Sequence, residues 1–255
     1  MHYKYMEITS TDKDCIKIAA KAYSSQTELK KSFISGFTQP DCYSSSADAQ
    51  GIATDCNNSK RCYIAFRGSD SVQDWMINID ITRACMPLEG VAEENCPKVH
   101  AGFLKQFQSL QSDVEKRVES CIRRNGKNCE ICFTGHSLGG SVACLAALHC
   151  GVKYPDCNIK CCAYGPLRVG GDKFKQLCGE CVDDFKCIVD EDDPICNLPY
   201  GFGQLPNSYC ITADYKLKRL PKDSFWDSLG CCACLAPFVW DEHDVSAYLD
   251  KISMF

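Results

Sequence analysis

The spacing of apolar residues along this chain alternates between helical and extended periodicity. Apolar positions three and four apart predict helices over residues 12–24, 101–123 and 172–181, and Asp12 is expected to cap the first of them. Short apolar runs bounded by glycine, proline or asparagine predict strands at 49–54, 61–66, 130–134, 160–164, 185–190 and 208–212. Because the strands alternate with helices, the pattern predicts an α/β fold with a largely parallel central sheet flanked by helices.

A single domain spanning residues 1–255 is the simplest organisation, because no repeat, linker or low-complexity tract interrupts the pattern. The composition, 45% hydrophobic and 24% charged, is ordinary for a globular protein. The chain contains no apolar stretch of about 18 residues, so the sequence predicts no membrane-spanning helix. The net charge of −5, without a block of lysine and arginine, argues against nucleic acid as a partner.

Cysteine is the residue type that departs from the ordinary, at 22 of 255 residues. A secreted disulfide scaffold would explain the number, but a chain of this length does not need disulfides to hold a core. The first ten residues also lack the apolar segment of a signal peptide. We therefore expect a cytoplasmic, reducing location, with secretion less favoured, and most cysteines packed as thiols.

Two Cys-x-x-Cys pairs, Cys129/Cys132 and Cys178/Cys181, have the spacing of paired zinc ligands. The first pair, however, lies inside a predicted strand, and such pairs arise by chance in a chain so rich in cysteine. The sequence therefore predicts no metal site.

Residues 135–139 read Gly-His-Ser-Leu-Gly and lie between the strand at 130–134 and a helix predicted over 138–149. This is the G-x-S-x-G pattern in the strand–turn–helix setting of a nucleophilic serine. Glycines two residues away on either side permit so sharp a turn. The pattern predicts Ser137 as a nucleophile; the alternative is an ordinary serine in a glycine-rich turn.

A nucleophilic serine needs a histidine base and a carboxylate that orients it. The five histidines are His2, His100, His136, His149 and His243. His136 is expected to point away from Ser137, and His149 lies about 18 Å further along the same helix. The chain order of serine, acid and histidine in α/β-hydrolases selects His243. The acid is expected in the loop after the strand at 185–189, where residues 190–193 offer four carboxylates that composition does not separate.

Several motifs in order along the chain resemble those of the fungal-type class 3 lipases, which have the α/β-hydrolase fold. The matching segments are Ile16–Tyr23, Ala65–Ser69, Asp74-Trp75, His100–Phe103, Gly135–Gly140, Tyr164–Gly170 and Asp193–Pro199. This resemblance implies that Ser137 is the nucleophile, Asp193 the acid and His243 the base. It also implies oxyanion donors at Ser69 and Leu138.

The resemblance also bears on neighbouring polar residues. Arg67, Asp74 and His100 match the family pattern and are interpreted as buried structural anchors. Asp190 and Asp192 are interpreted as solvated neighbours of the acid.

The segment after Ser69 corresponds to the lid of the family. It carries Val72, Trp75 and Met76, which we expect to cover the substrate groove, although an ordinary packing segment remains the alternative. Residues 225–240 hold two of the three tryptophans and are interpreted as the wall of an acyl pocket, a lipid-contacting loop or plain packing. Peripheral contact with a membrane or lipid droplet is therefore expected.

The function that follows is hydrolysis of carboxylic esters of lipids, such as triacylglycerol, diacylglycerol or phospholipid, through an acyl-enzyme. This chemistry requires no metal and no organic cofactor. The alternatives are a non-lipid esterase of the aryl or feruloyl type and a silent lipase-like scaffold that binds partners.

Overall fold

A computed structural model describes residues 6–69, 81–220 and 239–255 of the chain. The helices are α1 (Ser10–Lys21), α2 (Gln26–Lys31), α3 (Ala101–Asn125), α4 (Leu138–Lys153), α5 (Asp172–Cys181), α6 (Val239–Glu242) and α7 (Val245–Ser253). The strands are β1 (Asp41–Ser44), β2 (Gln50–Asp55), β3 (Arg61–Phe66), β4 (Arg83–Cys85), β5 (Lys98–His100), β6 (Glu130–His136), β7 (Asn158–Tyr164), β8 (Asp184–Asp190), β9 (Ser208–Ile211) and β10 (Leu217–Arg219). The elements predicted from periodicity are all present within a few residues of their expected bounds.

The main sheet has eight strands in the order β1-β2-β3-β6-β7-β8-β9-β10. Its central strands β3, β6, β7, β8 and β9 run parallel, while β1 and β2 at one edge and β10 at the other pair antiparallel. A separate two-stranded sheet joins β4 to β5. The expected α/β-hydrolase architecture, with a largely parallel sheet flanked by helices, is confirmed.

Each face of the sheet carries its own apolar core, because alternate residues of a strand point to opposite faces. In β3, Ile64 belongs to the core under α3, α4 and α5, whereas its neighbour Tyr63 belongs to the core under α1 and α7. Central strands covered on both faces have few polar positions, as expected for a parallel sheet between two layers of helices.

Helix α1 begins with a capping box rather than with Asp12 as its cap. The Thr9 side chain accepts a hydrogen bond from the Asp12 backbone N–H, and the Asp12 carboxylate accepts one from the Thr9 N–H. Asp12 also forms a buried ion pair with Lys186 of β8, 3.1 Å between Nζ and Oδ1. The predicted N-cap was therefore wrong by three positions, since the cap is Thr9. The Asp12 carboxylate instead holds α1 against the sheet.

Most cysteines in the described part of the chain are thiols, as expected. Seventeen are free, and thirteen of those are buried. Cys85 and Cys96 form a disulfide with their Cα atoms 5.7 Å apart, so the expectation of thiols does not hold for this pair. Among the described helices, none combines the length and the apolar character needed to cross a bilayer.

Candidate active site

Ser137 occupies a sharp turn between β6 and α4. Its backbone has φ 57° and ψ −129°, a region that residues other than glycine rarely adopt. A Cβ on Gly135 would lie 2.4 Å from the carbonyl carbon of Gly139, and a Cβ on Gly139 would lie 2.1 Å from the carbonyl oxygen of Phe66. Backbone atoms packed against positions 135 and 139 thus leave no room for a side chain, so both positions require glycine.

The side chains of Ser137, His243 and Asp193 form a continuous hydrogen-bonded row. His243 Nε2 lies 2.8 Å from Ser137 Oγ, and His243 Nδ1 lies 2.7 Å from Asp193 Oδ2. The three residues are 1%, 2% and 3% exposed, respectively. The fold thereby brings together residues separated by 56 and 50 positions in the chain.

Asp193 accepts hydrogen bonds from several donors besides the imidazole. Tyr248 donates its hydroxyl to Oδ2 over 2.7 Å, the Cys196 thiol donates to the same oxygen over 3.1 Å, and the Ile195 N–H donates to Oδ1 over 2.9 Å. Burial raises the pKa of the Asp193 carboxyl, but the His243 charge and these hydrogen bonds outweigh it and leave the pKa below its ordinary value. Asp193 is therefore ionised at neutral pH.

An ionised Asp193 fixes the tautomer of His243. A carboxylate can only accept a hydrogen bond, so Nδ1 must carry the proton and Nε2 presents its lone pair to the Ser137 hydroxyl. An imidazole held in this way can take the hydroxyl proton as the oxygen attacks an electrophilic carbon.

His136 packs against the proposed base, His243. Its ring lies 4.9 Å from the His243 ring, and its Nδ1 lies 2.9 Å from the Tyr23 hydroxyl. Burial lowers the pKa of His136 to about 3, with a further lowering from the neighbouring His243 charge. His136 is consequently neutral and packs beside His243 without competing with it for a proton.

The two expected oxyanion donors lie where the end of β3 meets the turn. Leu138 is the first residue of α4, so its N–H has no acceptor inside the helix. The backbone at Phe66 and Arg67 contacts Gly139, and a Cβ on Gly68 would lie 2.9 Å from the carbonyl oxygen of His136. Ser69 follows directly on this segment and is half-buried.

Asp190 is not a solvated neighbour. It is buried, and its Oδ2 lies 2.7 Å from Lys251 Nζ. Asp192 is exposed, in agreement with the expectation for that residue.

The other polar residues considered in the sequence have structural contacts, although Arg67 is half-buried rather than buried. His100 caps α3 by accepting a hydrogen bond from the Phe103 N–H over 3.3 Å, and Arg67 donates to Gln50 over 2.8 Å. His149 lies 2.7 Å from Glu115 on the facing helix α3. Asp74 and the proposed lid residues Val72, Trp75 and Met76, like residues 225–238, lie outside the described residues.

Sequence reasoning missed three residues that contact the site: Tyr23, Cys196 and Tyr248. Cys196 and Tyr248 both contact Asp193, and Tyr23 contacts His136. Cys196 lies three residues after Asp193 in the matched segment, so proximity in the chain could have indicated it. Nothing local indicates Tyr23, which comes from the opposite end of the chain.

Two groups of side chains within the described ranges have atoms close enough to hold a metal ion. They are Asp55 with Cys62 and Cys121, and Asp193 with Cys196 and His243. Neither Cys-x-x-Cys pair contributes to them.

Comparison with known proteins identifies the family. The sequence model of the family described as Lipase (class 3) matches residues 63–202, more than half of the chain. This chain belongs to the class 3 lipase family. The matched region contains the Ser137 turn and Asp193, whereas His243 lies beyond its end.

Fungal lipases are among the proteins that this chain resembles in sequence. A lipase of Rhizomucor miehei is 26% identical over 215 residues, which span 82% of this chain and 55% of that protein. Secreted mono- and diacylglycerol lipase A of Penicillium cyclopium is 31% identical over 167 residues, which span 64% of this chain and 51% of that protein. The chain thus covers about half the length of the curated relatives it matches.

A solved structure supports the fold. A triacylglycerol lipase whose catalytic centre is formed by a serine protease triad superposes with a TM-score of 0.75 at 23% identity. The superposition covers 94% of this chain and 96% of that one.

The expectation of a cytoplasmic location was wrong. The Penicillium relative is a secreted enzyme, and this chain contains the Cys85–Cys96 disulfide, a bond that persists in oxidising compartments. The sequence argument failed because abundant buried thiols are compatible with either kind of compartment.

Proposed function

We propose that this chain hydrolyses carboxylic esters of lipids through an acyl-enzyme on Ser137. The observation that carries the proposal is the hydrogen-bonded row of Ser137, His243 and Asp193 at a strained strand-to-helix turn. Membership in the class 3 lipase family supports the same chemistry.

In the first half of the reaction, the Ser137 hydroxyl attacks the ester carbonyl while His243 Nε2 takes its proton. Asp193 orients the imidazole and stabilises its positive charge. The imidazolium then donates the proton to the departing alcohol. In the second half, a water molecule attacks the acyl-enzyme with His243 again as the base.

The negatively charged oxygen of the tetrahedral intermediate is stabilised by hydrogen-bond donors that are positioned before the reaction begins. We assign this role to the backbone N–H of Leu138 and to Ser69, through its backbone N–H or its hydroxyl. Removal of one such donor typically lowers kcat by about 10²–10³-fold. The contact of the Phe66–Gly68 segment with the turn supports the placement of Ser69 beside Leu138.

We propose acylglycerols as substrates, on the strength of the mono- and diacylglycerol lipase and triacylglycerol lipase among the similar proteins. We also propose peripheral contact with a membrane or lipid droplet. The support for contact is the sequence at 72–81, where apolar residues such as Val72, Trp75 and Met76 are interspersed with polar ones.

The test begins with a fluorophosphonate probe, which reacts with activated serines. We expect one adduct, on the peptide that contains Ser137, and none in Ser137→Ala. Ser109 is an exposed serine on α3, so Ser109→Ala is the control. We expect the probe to label this variant at Ser137 as it labels the natural protein. Absence of labelling, or equal labelling of Ser137→Ala, would support a silent scaffold instead.

Substrate class is tested by hydrolysis rates on triacylglycerol, diacylglycerol, phospholipid and aryl esters. We expect acylglycerols to be cleaved, with a rise in rate once a short-chain ester exceeds its solubility limit. Cleavage restricted to dissolved aryl esters would point to a non-lipid esterase.

A further inference from the structure

A thiol lies beside the acid of the proposed triad. The Cys196 sulfur and His243 Nδ1 are 3.1 Å and 2.7 Å from the same oxygen, Asp193 Oδ2. The sulfur, the carboxylate oxygen and the imidazole nitrogen all lie within 4.8 Å of one another. Thiolate, imidazole and carboxylate are the ligands that Zn²⁺ takes in proteins.

We propose that Asp193, Cys196 and His243 form an inhibitory site for a thiophilic divalent cation, with Zn²⁺ as the representative. The cation would bind Cys196 Sγ, Asp193 Oδ2 and His243 Nδ1, with water as a fourth ligand. The inference rests on the proposed function, since it uses two residues of the proposed triad.

The bond lengths fit this donor set. Zn²⁺ binds sulfur at about 2.3 Å and nitrogen or oxygen at about 2.0–2.2 Å, so tetrahedral ligands lie roughly 3.5 Å apart. The observed separations of 2.7 and 3.1 Å require the ligands to part by less than about 1 Å.

Binding replaces protons without any redox step. The cation takes the place of the Cys196 thiol proton, which leaves to solvent. The His243 proton on Nδ1 must also leave that nitrogen, and the neutral ring then carries its proton on Nε2. Asp193 exchanges the hydrogen bonds from Cys196 and His243 for a bond to the cation and keeps the one from Tyr248.

The exchange of tautomer disables the base. Nε2 faces Ser137 Oγ at 2.8 Å, and once protonated it has no lone pair with which to accept the hydroxyl proton. The wrong tautomer of a triad histidine lowers kcat by about 10⁴-fold. Occupancy of the site is therefore expected to stop hydrolysis.

A small cavity lies beside the thiol and the carboxylate of the proposed site. Cys196 and Asp193 line this small cavity of about 40 Å³, whereas Ser137 is not among its described lining residues. Asp190 and Arg168 also line the cavity; Asp190 pairs with Lys251, and Arg168 donates to the carbonyl of Phe202 and to Asn197. A cation in this cavity thus meets Cys196 and Asp193 before it meets Ser137.

The second group of potential ligands, Asp55, Cys62 and Cys121, already has a positively charged side chain beside it. Arg117 places its guanidinium 2.7 Å from Asp55 Oδ1, beside Cys62 and Cys121. Cys121 is therefore the matched control for Cys196, because it is also a thiol in a compact Asp/Cys group. Its neighbour Cys62 pairs with Ile131 near the start of β6, whereas Ser137 follows the end of that strand.

The experiment titrates zinc chloride into protein freed of metal with a chelator. Hydrolysis of a soluble ester gives the half-inhibiting zinc concentration, and equilibrium dialysis gives the zinc bound per chain. In Cys196→Ser, the serine hydroxyl can still donate to Asp193 but is a poor zinc ligand. We expect its half-inhibiting concentration, relative to its own rate without zinc, to rise at least about 10-fold.

The same variant is expected to bind one zinc fewer per chain than the natural protein, whereas Cys121→Ser keeps the natural inhibition curve. Equal inhibition of Cys196→Ser and the natural protein, or loss of inhibition in Cys121→Ser, would overturn the proposal. If the chain hydrolyses no ester and takes no fluorophosphonate, the proposed function fails, while the dialysis difference still decides whether the zinc site exists.

Discussion

The carboxylates at residues 190–193 differ in what each side chain contacts. Asp193 is buried and hydrogen-bonded to His243, Asp192 is exposed, and Asp190 is paired with Lys251. The charge of Asp193 is useful only because the imidazole Nδ1 is aligned with it. Among these carboxylates, Asp193 is therefore the one whose substitution should affect the reaction most.

Asp193→Asn is expected to lower kcat by about 10⁴-fold, because an amide can hold His243 in the tautomer whose Nε2 carries the proton. Steady-state kinetics on a soluble ester measures the effect.

Asp192→Asn is the matched control and is expected to stay within a few-fold of the natural rate. Asp190→Asn should lower the melting temperature, because Lys251 loses its buried partner, with little effect on kcat. A large loss of kcat in Asp192→Asn together with a normal rate in Asp193→Asn would contradict the assignment of the acid.

The β6–α4 turn depends on three chain segments packed at backbone contact. The end of β3 touches Gly139, and Gly139 touches Gly135. The strain at Ser137 is thus imposed by its neighbours, which hold the nucleophile and the segment leading to Ser69 in one place. A side chain at Gly139 must disturb the turn and β3 together.

Gly139→Ala is therefore expected to lower the free energy of unfolding by about 1–3 kcal/mol or more, as overpacking of a rigid core does. Its hydrolysis rate should fall as well, because the displaced atoms belong to the Phe66–Ser69 segment. Chemical denaturation and ester hydrolysis measure the two effects.

Gly179→Ala in α5 is the control, since a Cβ there meets no atom within 4 Å. Alanine is the better helix former, so this change should raise the free energy of unfolding by up to about 1 kcal/mol. Equal stabilities of the two variants would show that the contact at Gly139 is not rigid.

Cysteine serves two different purposes in the molecule as a whole. Buried thiols fill both cores, where burial raises the pKa of residues such as Cys144 and Cys161 and leaves them neutral. The Cys85–Cys96 disulfide instead ties β4 to the segment that precedes β5, across 11 positions. Reduction should therefore act on one bond in the described part of the chain while leaving the packing of the sheet intact.

A mild reductant is expected to lower the free energy of unfolding by about 3 kcal/mol, the loop-closure contribution of a ring of roughly this length. In a protein of this size, that loss lowers the melting temperature by about 6–12 °C. Calorimetry with and without reductant measures the shift.

The double variant Cys85→Ala/Cys96→Ala should start at the lower stability and respond no further to reductant. A natural protein indifferent to reductant would mean that the bond contributes nothing. A double variant that still responds would mean that another disulfide is present.

The sequence by itself determined the features that depend on neighbouring residues. Apolar periodicity located the helices and strands, because burial repeats with the geometry of each element. The glycines at 135 and 139 located the turn, because its tightness is a local steric demand. Chain order and elimination of the other four histidines selected His243 as the base, and neither step required knowledge of contacts.

Only the tertiary structure decided the features that depend on distant parts of the chain. Composition left four carboxylates open at 190–193, and Asp193 was selected by family resemblance. The structure distinguishes it through contacts with His243 and Tyr248, 50 and 55 positions away. The contact of His136 with His243, the burial of Asp190 and the thiol at Asp193 likewise follow from packing. Hydrogen bonds and burial are set by which surfaces meet in three dimensions, and the local pattern of a sequence does not contain that information.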